Sequence, residues 1–256
     1  GKSDGTYSST RKFLPKTKIT KDEAKKMMNR LKNKGKRFKL SYDGQVLRII
    51  NLPKNYKDYP YILASFPNSY YEKKMWYTKQ RTKKDKTPAQ TAKILSDEDK
   101  DMICAKIKKN VELRLNVDYR KTFTSKWKSD LMNTYIDTNK QKSVNAYIKA
   151  AKARKVVVSS GEVIVDPSSL WLREYGTTCY ARVYVKFRVK SGKIPSVKSK
   201  CQNEVIYGSY TGMKNLTSKK TVTFADEIEC DLSYTNGKLT SYGVDWGGDS
   251  IANVNN

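Results

Sequence analysis

From Lys155 onward the apolar residues recur every second position. The clearest run is Cys179 to Val189, where Ala181, Val183, Val185, Phe187 and Val189 fall on one side of an extended chain. Arg182, Tyr184, Lys186 and Arg188 fall on the other. Side chains alternate across a strand, so this pattern predicts a half-buried strand. Residues 156–158, 163–165, 205–210 and 222–234 read the same way, and Asn236-Gly237 marks a hairpin leading into a last strand that ends near Trp246.

Upstream the period is that of a helix. Thr20 and Glu23 have the spacing of a capping box, with Ala24, Met27, Met28 and Leu31 following as an apolar stripe that Gly35 ends. Phe38 to Tyr42, the turn Asp43-Gly44, and Val46 to Ile50 predict a small hairpin. Ser96 caps a second helix with the stripe Ile103, Ile107 and Val111, Cys104 beside it. A third helical stretch, over about 125–152, presents Trp127, Leu131, Tyr135, Val144, Tyr147, Ile148 and Ala151, and Asp137-Thr138-Asn139 interrupts it. Helices followed by a run of antiparallel strands predict an α+β fold with helices on one face of the sheet. The expected organisation is a polar, disordered stretch over 1–18, a basic aromatic-rich region over 19–90, and an α+β domain over 91–256, with residues 78–93 as a linker or exposed loop.

Residues 59–77 complicate the picture, because seven of the nineteen are aromatic. Tyr59, Tyr61, Tyr70, Tyr71, Trp76 and Tyr77 are candidates for a platform that stacks on sugars or bases. The competing use, favoured here, is as the core of a region poor in aliphatic residues. Pro60 and Pro67 exclude a long helix through the segment.

Charge narrows the partners. The 256 residues carry 52 basic and 25 acidic side chains, for a net charge of +27, and residues 1–90 hold 24 basic against 7 acidic residues. Such a field attracts polyanions: nucleic acid, anionic lipid or anionic cell-wall polymer. Lysines outnumber arginines 41 to 11, which suits diffuse attraction better than bidentate reading of bases. An AT-rich genome would also encode so much lysine.

The chain has no histidine. That excludes Ser-His-Asp and Cys-His hydrolysis and histidine metal sites. No metal or cofactor site is expected. The four carboxylates from Asp97 to Asp101 suit a helix N-terminus better than a metal. Asp226, Glu227, Glu229 and Asp231 are the densest carboxylate cluster a histidine-free enzyme could use, but no spacing singles out an acid/base pair. Glu229 and Asp231 alternate with apolar residues and read as part of a mixed, solvated sheet face, together with Arg182, Lys186 and Arg188.

Four cysteines, at 104, 179, 201 and 230, show no C-x-x-C spacing. Alternation places Cys179 and Cys230 on the core side. In a simple meander with a strand at 205–210, Cys201 comes within a register step of Cys230. Two states stay open: a Cys201–Cys230 disulfide, or four buried free thiols. The opening Gly1 and its Ser/Thr/Gly-rich tract read as a mature chain whose leader has been removed, and no run of residues is long and apolar enough to span a membrane.

The helical pair carrying Asn116-Val-Asp-Tyr-Arg120, then Trp127, then the long antiparallel sheet, resembles accessory domains of uncharacterised secreted proteins from low-GC Gram-positive bacteria. The order of elements over residues 95–250 is also similar to NTF2-like and cystatin-like folds, in which helices lie on a curved sheet. The resemblance implies no catalytic residue. Such folds host enzymes, binders and spacers alike, so the fold does not decide the function. The expectation drawn from the chain as a whole is an extracellular or cell-surface protein that is not an enzyme, with a basic N-terminal region associating with anionic cell-wall polymer and a C-terminal pocket, between helices and sheet, for a small ligand or a protein. Non-specific nucleic-acid binding and a carboxylate enzyme are the alternatives.

Overall fold

A computed structural model describes residues 18–136, 138, 140–153, 155–191 and 221–252. Four helices come first: α1 (Lys21–Lys32), α2 (Asn68–Glu72), α3 (Trp76–Gln80) and α4 (Pro88–Thr91). Then follow α5 (Asp97–Arg114), the short strand β1 (Val117–Asp118), α6 (Ser125–Met132) and α7 (Lys140–Ala153). Four long strands complete the chain: β2 (Val157–Leu172), β3 (Thr178–Ser191), β4 (Thr221–Thr235) and β5 (Lys238–Ala252). The sheet is an antiparallel meander in the order β1-β2-β3-β4-β5, curled into a half-barrel, with helices packed on it. This is the α+β architecture the periodicity implied.

Local signals explain most boundaries. Thr20 and Glu23 form the capping box of α1, and the Ser96 hydroxyl accepts from the Asp99 amide at the start of α5. Asn236 and Gly237 have φ of 52° and 74°, the left-handed pair that a two-residue hairpin needs. The expected hairpin at 38–50 reduces to a turn and isolated bridges, Leu40 to Val46 and Leu47 to Leu63.

The two faces of the sheet bury different things. Ile103, Ile107 and Val111 of α5 and Tyr147 of α7 pack with Val183, Val185, Phe187, Ile228 and Cys230 between helices and sheet. On the opposite face Ile62, Leu63, Phe66, Tyr70, Tyr71 and Met75 pack on Ile164 and Ala225. The N-terminal region is therefore a second layer on the sheet. Residues 78–93, expected as a linker or exposed loop, are tied to it: the Leu172 amide donates to Thr91 Oγ1 at 3.0 Å, and the Glu174 amide to Asp85 Oδ1 at 3.0 Å.

Two expectations about the strands change. The stretches at 157–158 and 163–165 belong to one long strand, and β3 pairs directly with β4. Residues 205–210 and Cys201 lie outside the described residues. Cys230 stands opposite Cys179 in the register, and both are buried free thiols. The expected pairing of Cys201 with Cys230 therefore falls outside the described residues.

Candidate functional site

The site begins at a bulge in β2. Asp166 pairs with Arg182 and Trp171 pairs with Tyr180, so four residues from Pro167 to Leu170 oppose Ala181 alone. Pro167 has no amide to offer the ladder. Polar side chains replace the missing bonds: the Arg182 amide donates to Ser169 Oγ at 2.7 Å, and the Ser168 amide and hydroxyl donate to Asp166 Oδ1 at 2.9 and 2.7 Å. Bulges re-aim the side chains beside them, and here Ser169 and Trp171 line a cavity.

Beneath the N-terminal layer Asp166, Arg182 and Glu227 stand in a row across β2, β3 and β4, each the register partner of the next. Arg182 Nη2 donates to Glu227 Oε1 at 2.9 Å and to Lys73 O at 3.0 Å, while Nη1 donates to Tyr70 O and to Tyr71 O. The guanidinium thereby satisfies carbonyls at the end of α2, which a helix terminus leaves without partners. Glu227 does the converse for α3, accepting from the Thr78 amide at 3.1 Å and from the Thr78 hydroxyl. One ion pair holds both short helices to the sheet. The mixed, solvated face expected for Arg182 is thus corrected: Arg182 and Glu227 are buried, because the N-terminal layer covers them. Lys186 and Arg188, further along β3, are exposed as expected.

Burial raises the Asp166 carboxyl to about 6, with the Ser168 hydrogen bonds, the nearby Tyr71 hydroxyl and Arg182 acting against the rise. Burial also pushes Glu229 up, opposed by the Tyr180 hydroxyl, which donates to Glu229 Oε1 at 3.0 Å. Asp231 accepts from Thr178 Oγ1 at 3.0 Å. The Asp226 side chain lies outside the described residues. The carboxylate cluster is therefore distributed among separate partners, and Glu227 is the member that borders the cavity.

The cavity has a volume of about 690 Å³, the size of a small-molecule pocket. It lies between α2, α3 and β2 to β4, on the opposite side of the sheet from α5. Tyr59, Tyr71 and Trp171 give it aromatic wall, and Trp171 stacks on Tyr180 with ring centroids 4.3 Å apart. Six cationic side chains line it against three carboxylates, Asp58, Glu72 and Glu227. Glu227 is matched by Arg182, and Asp58 lies 3.7 Å from Arg81. Lys54, Lys73, Lys74 and Lys79 have no carboxylate within salt-bridge distance among the described residues. The cavity is on the other face of the sheet from the pocket expected between helices and sheet.

The aromatic candidates divide. Tyr70, Tyr71 and Tyr77 are buried, and Tyr59 and Tyr61 are half-buried. Phe66 stacks on Tyr70 at 4.3 Å, and Tyr71 meets Tyr59 and Tyr70 edge-on. These rings pack one another, and of the buried pair Tyr70 and Tyr71 it is Tyr71 that borders the cavity. The Trp76 side chain lies outside the described residues. Arg182, Ser169, Trp171 and the lysines of the mouth were not among the candidate site residues. The Asp166-Pro167 step inside an alternating strand was the available signal of the bulge.

No protein-family model matches the chain, and no curated protein does. Among solved structures it is similar to the crystal structure of the intermembrane space region of the chloroplast protein ARC6. The two are 16% identical over 59% of this chain and 96% of that one, with a TM-score of 0.31. A likeness that distant carries no argument about function.

Proposed function

We propose that this protein is a non-catalytic binding module, secreted or displayed on a bacterial surface, whose cavity takes an anionic ligand. The observation that carries the reading is the set of four lysines, Lys54, Lys73, Lys74 and Lys79, converging on one cavity without carboxylate partners among the described residues. Lysine heads on flexible stems suit phosphate groups that approach in several geometries. A phosphate-bearing wall polymer, threading one or two repeats past Tyr59 and Trp171, is the ligand class we favour. The affinity with secreted Gram-positive proteins and their NTF2-like or cystatin-like domains belongs to the same reading.

Support for a binding role over catalysis comes from Glu227. It is already engaged by Arg182 and Thr78, so acid/base work would require breaking the contacts that seat α2 and α3. Against nucleic acid stands the packing of the tyrosines on one another, which removes the ring faces that base stacking uses.

The test is titration of the full chain with a glycerol-phosphate oligomer and with a neutral glycan of equal length. Binding restricted to the phosphate oligomer, weakened by salt and lowered in Lys73→Gln/Lys74→Gln, supports the reading. Equal binding of both ligands, or an unchanged double variant, overturns it.

A further inference from the structure

Away from the cavity, exposed apolar surface is concentrated in one stretch. Nine of the twelve exposed large apolar side chains of the described residues lie between Ile19 and Tyr56. The same stretch contains eleven basic residues and three acidic ones. Its longest regular element is α1, in which no residue is buried. At about 100° per residue, Ala24, Met27, Met28 and Leu31 form a single stripe roughly 100° wide. Lys21, Lys25 and Lys32 form a column along one edge of that stripe, and Arg30 lies beyond the other. Met28 and Leu31 are 52% and 64% exposed.

The helix is capped at both ends despite its bare stripe. The Thr20 amide donates to Glu23 Oε2 at 2.8 Å, and the Glu23 amide to Thr20 Oγ1 at 3.2 Å. At the other end Arg37 donates from Nε to Arg30 O at 3.1 Å and from Nη2 to Leu31 O at 2.9 Å. The Arg30 guanidinium lies over the Phe38 ring, 4.1 Å from its centre.

We propose that α1 is an interfacial helix that lies on an anionic lipid bilayer, with Met28 and Leu31 entering the acyl boundary and Lys21, Lys25 and Lys32 meeting the headgroups. Charge complementarity selects this occupant. A soluble polyanion would satisfy the lysines and leave Met28 and Leu31 in water. A second copy of the chain would bury the stripe by bringing two cationic surfaces together. An anionic bilayer supplies negative headgroups and an apolar interior a few ångströms apart, matching the two edges of the helix. This goes beyond the cavity reading and does not depend on it.

The experiment is co-sedimentation of the full chain with vesicles of phosphatidylcholine alone and with vesicles containing phosphatidylglycerol. The chain is expected to sediment with the second kind and not the first, less so in high salt. Lys21→Gln/Lys25→Gln lowers binding by about fivefold for each lysine removed. Leu31→Asp lowers it by at least about tenfold. Leu31 is exposed, so the variant is expected to keep the unfolding midpoint of the parent, which is measured alongside. Three outcomes overturn the proposal: no sedimentation with phosphatidylglycerol vesicles, binding unaltered by Leu31→Asp, and no lipid binding but self-association by light scattering that Leu31→Asp abolishes.

Discussion

Arg182 and Glu227 face each other across β3 and β4 with Nη2 2.9 Å from Oε1, and they are 3% and 2% exposed. Taking two charges out of water is costly, and their mutual attraction offsets that cost only when the remaining donors and acceptors are also satisfied. Here they are: the guanidinium bonds the carbonyls at the end of α2, and the carboxylate bonds Thr78 at the start of α3. The pair is a clamp between the two layers and forms the floor of the cavity.

Removing either partner leaves the other as an unmatched buried charge. Glu227→Ala and Arg182→Ala are each expected to lose about 3–5 kcal/mol of stability. Arg182→Ala also leaves the Tyr70 and Lys73 carbonyls without this donor. Urea unfolding of both single variants and the double variant measures it. A loss below about 1 kcal/mol for both would show that the pair does not hold the layers.

Asp166 makes stability depend on pH. Its folded value is raised to about 6, while an unfolded aspartate titrates near 4. Between those values the folded state retains a proton that the unfolded state has released. Stability from this group is therefore greatest below about pH 4, falls as pH rises, and levels off above about pH 6, with a total change on the order of 3 kcal/mol. Asp166→Asn keeps an acceptor for Ser168 and should flatten that slope. Unfolding midpoints of parent and variant across the interval test it, and parallel curves would contradict the assignment.

Gly243 is a site of close approach. A Cβ there would lie 2.6 Å from Ile136 N and 2.9 Å from Tyr135 C, both backbone atoms. Val244 beside it donates to Thr134 O at 2.8 Å and bridges to Tyr135. Gly243→Ala should force apart β5 and the segment after α6 and cost about 1–3 kcal/mol. Thermal unfolding of the variant gives the answer, and an unchanged Tm would mean that the segment shifts freely.

The two facing thiols should be inert in the native protein. Burial pushes Cys230 up to about 12 and Cys179 well above the ordinary thiol range, and the thiolate is the reactive form. Alkylation at mildly alkaline pH is expected to spare both residues until denaturant is added. Peptide mapping of the alkylated chain checks this. Cys230 recovered in a bridge to Cys201 would instead restore the pairing first inferred from a meander with one more strand.

Much of the architecture was legible because local rules governed it. The unbroken alternation from Cys179 to Phe187 determined which side of β3 is apolar, and Ala181, Val183, Val185 and Phe187 are indeed buried against the helices. Ser96 and the stripe Ile103, Ile107 and Val111 determined α5 and its buried face. The Asn236-Gly237 pair determined the last hairpin. The connection from β3 was less accessible, because a strand pattern near 205–210 cannot by itself say which strands become neighbours.

The fate of the polar sheet face depended on the tertiary structure alone. Alternation shows that Asp166, Arg182 and Glu227 point away from the apolar side, and from the sequence that direction reads as solvent. Only the fold brings Tyr70, Tyr71 and Thr78 over them, across more than a hundred residues of chain in the case of Arg182 and Tyr70. Periodicity carries the orientation of a side chain relative to its own strand, whereas burial depends on what another segment places above it. That covering layer turned three surface charges into an interior row, opened the cavity beside it, and left α1 bare.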